Sequence, residues 1–257
     1  MIFKKKLPNK IVKILIDRYE NESLFLNKNK EYFEYRNLLL TNKKTLVDEF
    51  ENFINKTNND KYTYFDFYKK RKISNSPLES DIKFKNFLYV KLISFSNISN
   101  KFSSVICSNS LPFLILDLRE NIGGDIEECA KIANLLLPKC DIVNLKYKYK
   151  MVSYLSDENF KKFDKIFVFV GNHTISSAEI LALSLKYNLN NVFVLGNKTF
   201  EKNIGQTTYI NSKYNYIFNL STFEWNVCGQ QSDKIVDRIN ENFKNSDDYF
   251  KAALSLV

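Results

Sequence analysis

The sequence predicts a layered α/β protein behind a small helical region, and three observations carry that prediction. From Phe87 onward, apolar runs of strand length alternate with segments of helical periodicity, joined by short turns. Residues 9–56 carry helical patterning instead. All six glycines lie between Gly123 and Gly229, which leaves the first 122 residues glycine-free. Glycine serves where the backbone needs positive φ or a close approach. Tight functional turns are therefore expected only in the later part of the chain.

The helical region divides into KIVKILIDRYE, SLFLNKNKEYFEYRNLLL and a segment capped at Thr45 that runs through LVDEFENFI. YTYFDFY (62–68) reads as a strand or as the end of this region. SNSPLES (74–80) is a turn and the best boundary, giving a helical region over 1–80 and a core over 81–257. In the core, FLYVKLISF is a strand, SNISNKFSSVICS a short helix and LPFLILDL (111–118) a buried strand. A helix follows at 125–137, with Ile126, Cys129, Ala133 and Leu136 on one face. IVNLKYKYK and KIFVFV (165–170) are strands, 177–187 a helix and NVFVL (191–195) a strand. YNYIFNLS and TFEWNV read as two antiparallel strands before a terminal helix in DDYFKAALSLV.

With 44% hydrophobic and 26% charged residues, the composition is that of an ordinary globular protein. Residues 1–85 hold 19 Lys and Arg against 12 Asp and Glu, so most of the net +9 sits there. Such charge can face nucleic acid, an acidic peptide or a membrane surface. No nucleic-acid-binding motif accompanies it, so it reads as a solvated helical surface and no nucleic-acid partner is expected. Cys107, Cys129, Cys140 and Cys228 are scattered without metal-ligand spacing, and Cys107 and Cys129 read as small core residues. One histidine and no Cys/His cluster give no metal site. The start lacks a signal-peptide pattern, and no apolar run is of membrane-spanning length, so the chain reads as cytoplasmic.

Three segments could carry chemistry. DLRENIGG (117–124) places paired glycines between a buried strand and an amphipathic helix, where free N–H groups can stabilise an oxyanion. The bland alternative is a tight turn. TISSAEI (174–180) places a serine between the strand KIFVFV and a helix, though without G-x-S-x-G. Taken alone, plain helix capping is the commoner reading of this stretch, and Glu179 in the first turn fits the helix dipole without a catalytic role. TFEKNIGQ (199–206) follows the strand NVFVL and places Lys202 26 residues beyond Ser176. A neutral lysine can replace histidine as a base, but an exposed loop lysine is the commoner case.

Taken in order, the three segments resemble the C-terminal processing (tail-specific) serine peptidases. That family has a strand ending D-L-R-x-N-x-G-G, then T-x-S-x-x-E-I, then T-F-x-K-x-x-x-Q. The resemblance runs from about Phe87 to the C-terminus. It implies a crotonase/Clp-protease-like α/β spiral core, with Ser176 as nucleophile, Lys202 as base and Gln206 as the residue orienting it. The amides of Gly123 or Gly124 and of Ser177 would form the oxyanion hole. The implied activity is a serine endopeptidase acting on a protein or peptide, with no metal or organic cofactor. The implied oligomeric state is unspecified.

The sequence departs from the family in several places. The family brackets the lysine with glycines (F-G-K-G), whereas Glu201 and Asn203 flank Lys202 here. A Glu201–Lys202 pair would raise the lysine pKa and oppose base catalysis. The usual P-D near the last strands is Ser232–Asp233. The family's PDZ domain has no counterpart, because the interval between the helices and Phe87 is too short and contains no glycine. A catalytically silent peptide- or ligand-binding module on the same fold is the alternative function. His173 lies too near Ser176 on one turn to form a dyad and reads as a turn residue or pocket wall.

Overall fold

A computed structural model of the chain describes residues 6–68, 77–236, 243 and 245–257. The chain opens with β1 (Lys6–Pro8), α1 (Asn9–Glu22), α2 (Lys30–Thr41), β2 (Lys44–Leu46), α3 (Val47–Thr57) and β3 (Tyr64–Phe67). Next come β4 (Leu78–Lys83), β5 (Phe87–Leu92), α4 (Ser99–Cys107), β6 (Phe113–Asp117) and α5 (Ile126–Asn134). β7 (Asp141–Tyr147), β8 (Met151–Leu155), β9 (Lys165–Val170), α6 (Ser177–Asn188) and β10 (Val192–Gly196) follow. β11 (Ile204–Asn211), β12 (Tyr216–Asn226) and α7 (Ser246–Ser255) close the order.

Two compact units result. The first comprises Met1–Lys72, Lys146–Lys150 and Ile204–Glu224; the second comprises Ile73–Leu145, Met151–Asn203 and Trp225–Val257. The division between 1–80 and 81–257 therefore needs amending, because two later segments belong with the helices. Residues 74–76 of the expected boundary turn lie outside the described residues.

In the first unit, α1 and α3 bury Val12, Leu15, Tyr19, Phe50 and Phe53 against Phe65 of β3 and Phe218 of β12. Rings meet edge-on, as between Phe50 and Phe65 at 4.7 Å, or stacked, as between Phe65 and Tyr216 at 5.2 Å. β12 pairs antiparallel with β11 and, over Tyr216–Asn219, with β3. This explains the assignment of 204–224, since the buried face of β12 completes the helices' core. The helical segment expected from Ser23 begins only at Lys30, because Asn29 caps it by accepting from the Tyr32 N–H at 2.8 Å. Thr45 is not the cap of α3; it lies in β2, and the Glu49 carboxylate caps by accepting from the Leu46 N–H at 2.8 Å.

The second unit is built on a five-stranded sheet in the order β10-β9-β6-β5-β4. β5, β6, β9 and β10 are parallel; β4 is antiparallel to β5. Phe87, Ile115, Phe167 and Phe169 bury one face with Tyr249 and Ala253 of α7. Strands buried on both faces read as unbroken apolar runs, which is why FLILD and KIFVFV were legible. β4 was missed because its sequence LESDIK is mostly exposed at the sheet edge. β11 (IGQTTYIN) was missed for its polarity, and YNYIFNLS and TFEWNV fuse into the single strand β12. IVNLKYKYK yields β7 and then a turn, closed by the Tyr147 N–H donating to the Lys150 carbonyl at 2.8 Å, before β8. No helix among the described residues is long and apolar enough to cross a membrane.

Glu128 of α5 caps α4 from outside. Its Oε2 accepts from the N–H groups of Ser99 (2.9 Å) and Ile98 (2.7 Å), and its Oε1 from Lys131 at 2.9 Å. The Ser99 N–H chiefly, then Lys131, hold the carboxyl down to about 2 from an ordinary 4.5. A depressed folded pKa contributes stability above the unfolded value and loses it as pH falls through the folded one. Glu128→Gln should therefore cost about 1–2 kcal/mol at neutral pH. In urea unfolding the gap to wild type should shrink below pH 4.5 and close near pH 2. A gap that does not change with pH would remove the charge from this account.

Candidate active site

Adjacent parallel strands bring the three sequence segments together. Asp117 at the end of β6 is in register with Phe169 of β9, and Val170 of β9 with Gly196 of β10. The connections 118–125, 171–176 and 197–203 therefore leave one sheet edge at the carboxyl ends of neighbouring strands. Open α/β sheets bind ligands at that edge.

Ser176 sits in the turn between β9 and α6 at φ 58°, ψ −117°. A non-glycine residue held there stores about 1–3 kcal/mol of strain, so the surroundings must enforce it. The buried Thr174 hydroxyl donates to the Leu118 carbonyl at 2.8 Å and accepts from the Gly171 N–H at 2.9 Å. The Ile175 N–H donates to the Asn121 carbonyl at 3.0 Å. The turn is thus stapled to the glycine loop. The neighbouring Ser177 is buried, and its hydroxyl donates to the Gly124 carbonyl at 3.0 Å. Beneath it, the fully buried Cys129 thiol donates to the Ser177 carbonyl at 3.1 Å, and burial pushes that thiol's pKa up. Cys107, expected in the core, is exposed.

The glycines are fixed by space and conformation. Gly123 has φ +91°, and a Cβ there would lie 2.8 Å from the Ile175 carbonyl oxygen and 3.1 Å from Ser176 Cβ. Gly124 has φ +141°, and its Cβ would lie 2.5 Å from the Phe95 carbonyl oxygen. The Gly123 N–H donates to Asn121 Oδ1 at 2.9 Å. Among the described residues, the N–H groups of Gly124 and Ser177 have no acceptor. Of the two glycine amides, that of Gly123 is thus engaged within its own loop. Asn121 is fully buried, and its Nδ2 has no partner among the described residues. Asp117 and Arg119 of the same segment serve structure: Asp117 grips Arg119 through Nε (2.9 Å) and Nη2 (2.6 Å), and Arg119 lies over the Tyr249 ring at 4.5 Å.

The lysine loop is tied to the serine turn by Glu179, which is fully buried. Glu179 Oε2 accepts from the Ser176 N–H at 2.7 Å and the Lys202 N–H at 3.1 Å. Its Oε1 accepts from the Glu201 N–H at 2.7 Å and the Thr199 hydroxyl at 2.8 Å. Burial raises this carboxyl's pKa, and the four donors pull it back. Four donors and no acceptor suit the anion. The dipole role read from the sequence understated Glu179; its S-x-x-E spacing from Ser176 was the available signal.

Lys202 is half-buried, and its carbonyl accepts from Trp225 Nε1 at 3.0 Å. Glu201 adopts φ +60°, and its carboxylate pairs with Lys198 at 2.9 Å. Asn203 Oδ1 accepts from both the N–H (2.9 Å) and hydroxyl (2.7 Å) of Ser232. Gln206 lies on β11 in the first unit, at a bulge opposite Ser221. His173 pairs with Glu120 at 3.0 Å, both exposed, and lines an open pocket of ≈ 390 Å³ with Asn197 and Tyr249. It is a pocket wall.

Comparison with known proteins bears on this arrangement. The model of peptidase family S41 matches residues 86–232, more than half of the chain. The carboxy-terminal processing protease CtpA of Bacillus subtilis is 33% identical over 134 residues, covering 50% of this chain and 28% of that protein. The chain spans less than a third of the length of the curated relatives it first matches. Among solved structures, a lipoprotein from Streptococcus agalactiae superposes with TM-score 0.67 at 20% identity, covering 85% of this chain and 86% of that one. The photosystem II D1 C-terminal processing protease gives 0.51 at 20% identity over 63% and 46%. The fold is theirs, and the segments DLRENIGG, TISSAEI and TFEKNIGQ fall inside the matched span. The chain belongs to peptidase family S41.

Proposed function

We propose that the chain is a serine endopeptidase in which Ser176 is the nucleophile and Lys202 the general base. The observation that carries this reading is the single Glu179 oxygen that binds the backbone N–H groups of both residues. Two amides sharing one acceptor hold the two residues' backbones side by side, with no need for a long-range accident of packing.

In this reading, the Ser176 hydroxyl attacks a peptide carbonyl carbon and passes its proton to neutral Lys202. The N–H groups of Gly124 and Ser177 take the oxyanion. The C–N bond then breaks, and the leaving amine takes the proton from Lys202. Water, deprotonated by the now neutral Lys202, attacks the Ser176 ester; the C–O bond breaks, Lys202 returns the proton to Ser176 Oγ, and the acid is released.

Ser176→Ala should lower kcat/KM by at least about 10³-fold and abolish fluorophosphonate labelling, while Ser177→Ala retains turnover through its backbone amide. Lys202→Arg should be as inactive as Lys202→Ala, because a guanidinium does not deprotonate in this range. Substantial turnover in Lys202→Arg would rule out proton transfer at this position, and absence of both labelling and turnover in the wild type would favour the silent binding module.

Glu179→Gln presents an amide NH₂ to N–H groups that need an acceptor. It should cost about 1–3 kcal/mol in stability. It should also lower kcat by about tenfold or more with KM nearly unchanged, since it displaces reacting groups and no substrate contact. An unchanged kcat would confine Glu179 to folding. Glu201→Gly removes a side chain from a left-handed conformation and loses only a half-exposed ion pair. It should stabilise the protein by about 1 kcal/mol or less and preserve turnover. A loss of both would show that the Glu201 side chain holds the loop.

A further inference from the structure

The net charge of the protein is carried by one of its two units. The first holds 21 Lys and Arg against 11 Asp and Glu, a net +10; the second holds 17 against 18, a net −1. Within the first unit a cleft of ≈ 460 Å³ lies between the Lys146–Lys150 turn and one face of β11 and β12. The turn reads Lys-Tyr-Lys-Tyr-Lys.

We propose that this cleft binds an acidic stretch of polypeptide, a docking segment of the substrate protein; the proposal rests on the peptidase reading for its choice of ligand. Lys148 and Lys150 line the cleft, are exposed, and have no carboxylate partner among the described residues. Lys146, by contrast, is spent on Glu224 at 3.6 Å. Lys148 is held in place by donating to the Glu20 carbonyl at 2.8 Å.

The walls suit a peptide. Tyr147 and Tyr209 give the lining aromatic rings, and the Thr207 and Thr222 hydroxyls, hydrogen-bonded to each other at 2.8 Å, leave one donor for a ligand. Glu22 is the one carboxylate among the lining residues, and its Oε2 accepts from the Tyr209 hydroxyl. Arg18 stacks over the Tyr209 ring at 3.7 Å and adds positive charge behind that wall. The cleft therefore presents two ammonium groups outside any ion pair among the described residues against one carboxylate, within a polar and aromatic lining. A concave site of this size takes a few side chains, whereas a membrane surface or a nucleic-acid backbone requires a flat face or an extended basic track.

The test uses full-length Ser176→Ala protein and a fluorescein-labelled glutamate-rich peptide, with its glutamine counterpart as control. Anisotropy should show salt-dependent binding of the glutamate peptide. That binding should weaken about tenfold or more in Lys148→Glu/Lys150→Glu and little in the surface control Lys139→Glu/Lys162→Glu, at unchanged Tm. In the Ser176 background, Lys148→Glu/Lys150→Glu should raise KM for an acidic-tagged substrate and leave an untagged one unchanged. Equal weakening in both double variants, no binding of the glutamate peptide, or tighter binding of a single-stranded oligonucleotide or phosphatidylserine vesicles would each overturn the proposal. Lysine-dependent binding without hydrolysis of any peptide by wild type would sink the peptidase reading and leave the cleft's ligand class standing.

Discussion

The Glu179 carboxylate is the constraint on which the site depends. It is buried, takes four hydrogen bonds, and reaches three segments: the start of its own helix, Thr199, and the Glu201–Lys202 backbone. A buried carboxylate without donors would be costly, so the loops must close around it for the fold to tolerate its charge. The same closure holds Ser176 in a conformation that serine does not adopt freely. The same four hydrogen bonds thus solvate one anion and hold the Ser176 and Lys202 backbones side by side.

The sheet supplies the other half of the arrangement. β6, β9 and β10 are parallel neighbours, so residues far apart in sequence leave the sheet side by side. Strand register fixes where each loop starts, and the loops need only short turns to meet. That division leaves little room for side chains at the crossing. Gly123 backs onto the serine turn and Gly124 onto Phe95 at distances a Cβ cannot occupy. The requirement for glycine here is steric as well as conformational, so an alanine at Gly124 tests packing before it tests an oxyanion donor.

Legibility followed chemistry along the chain. The apolar runs of β6 and β9 are unmistakable because both faces are buried, and Ser176, Lys202 and the glycine pair stood out through motifs in a fixed order. The parts that escaped were those whose role comes from partners distant in sequence. β4 and β11 are polar strands that only pairing defines. Thr45 has the right chemistry for a cap, yet β2 pairs with β1 and moves the helix start past it. Glu179 looked like a dipole residue because three of its four donors lie on a loop 20 to 23 residues away and the fourth on a strained turn. The membership of 204–224 in the first unit follows from aromatic packing that no local pattern encodes.

The departures around Lys202 are explained by the same logic. Where the family has glycine before the lysine, Glu201 keeps a left-handed backbone, secured by its N–H on Glu179, and its carboxylate turns to Lys198. Where the family has glycine after it, Asn203 fills the space and accepts two hydrogen bonds from Ser232. Ser232 stands where the family has proline, which has neither an N–H nor a hydroxyl to donate. The two substitutions are therefore complementary: Asn203 supplies an acceptor that only a residue such as serine at 232 can satisfy. The lysine's carbonyl is meanwhile fixed by Trp225. At this loop, where the family pattern has glycines, hydrogen bonds to Glu179 and from Ser232 hold the backbone on either side of Lys202.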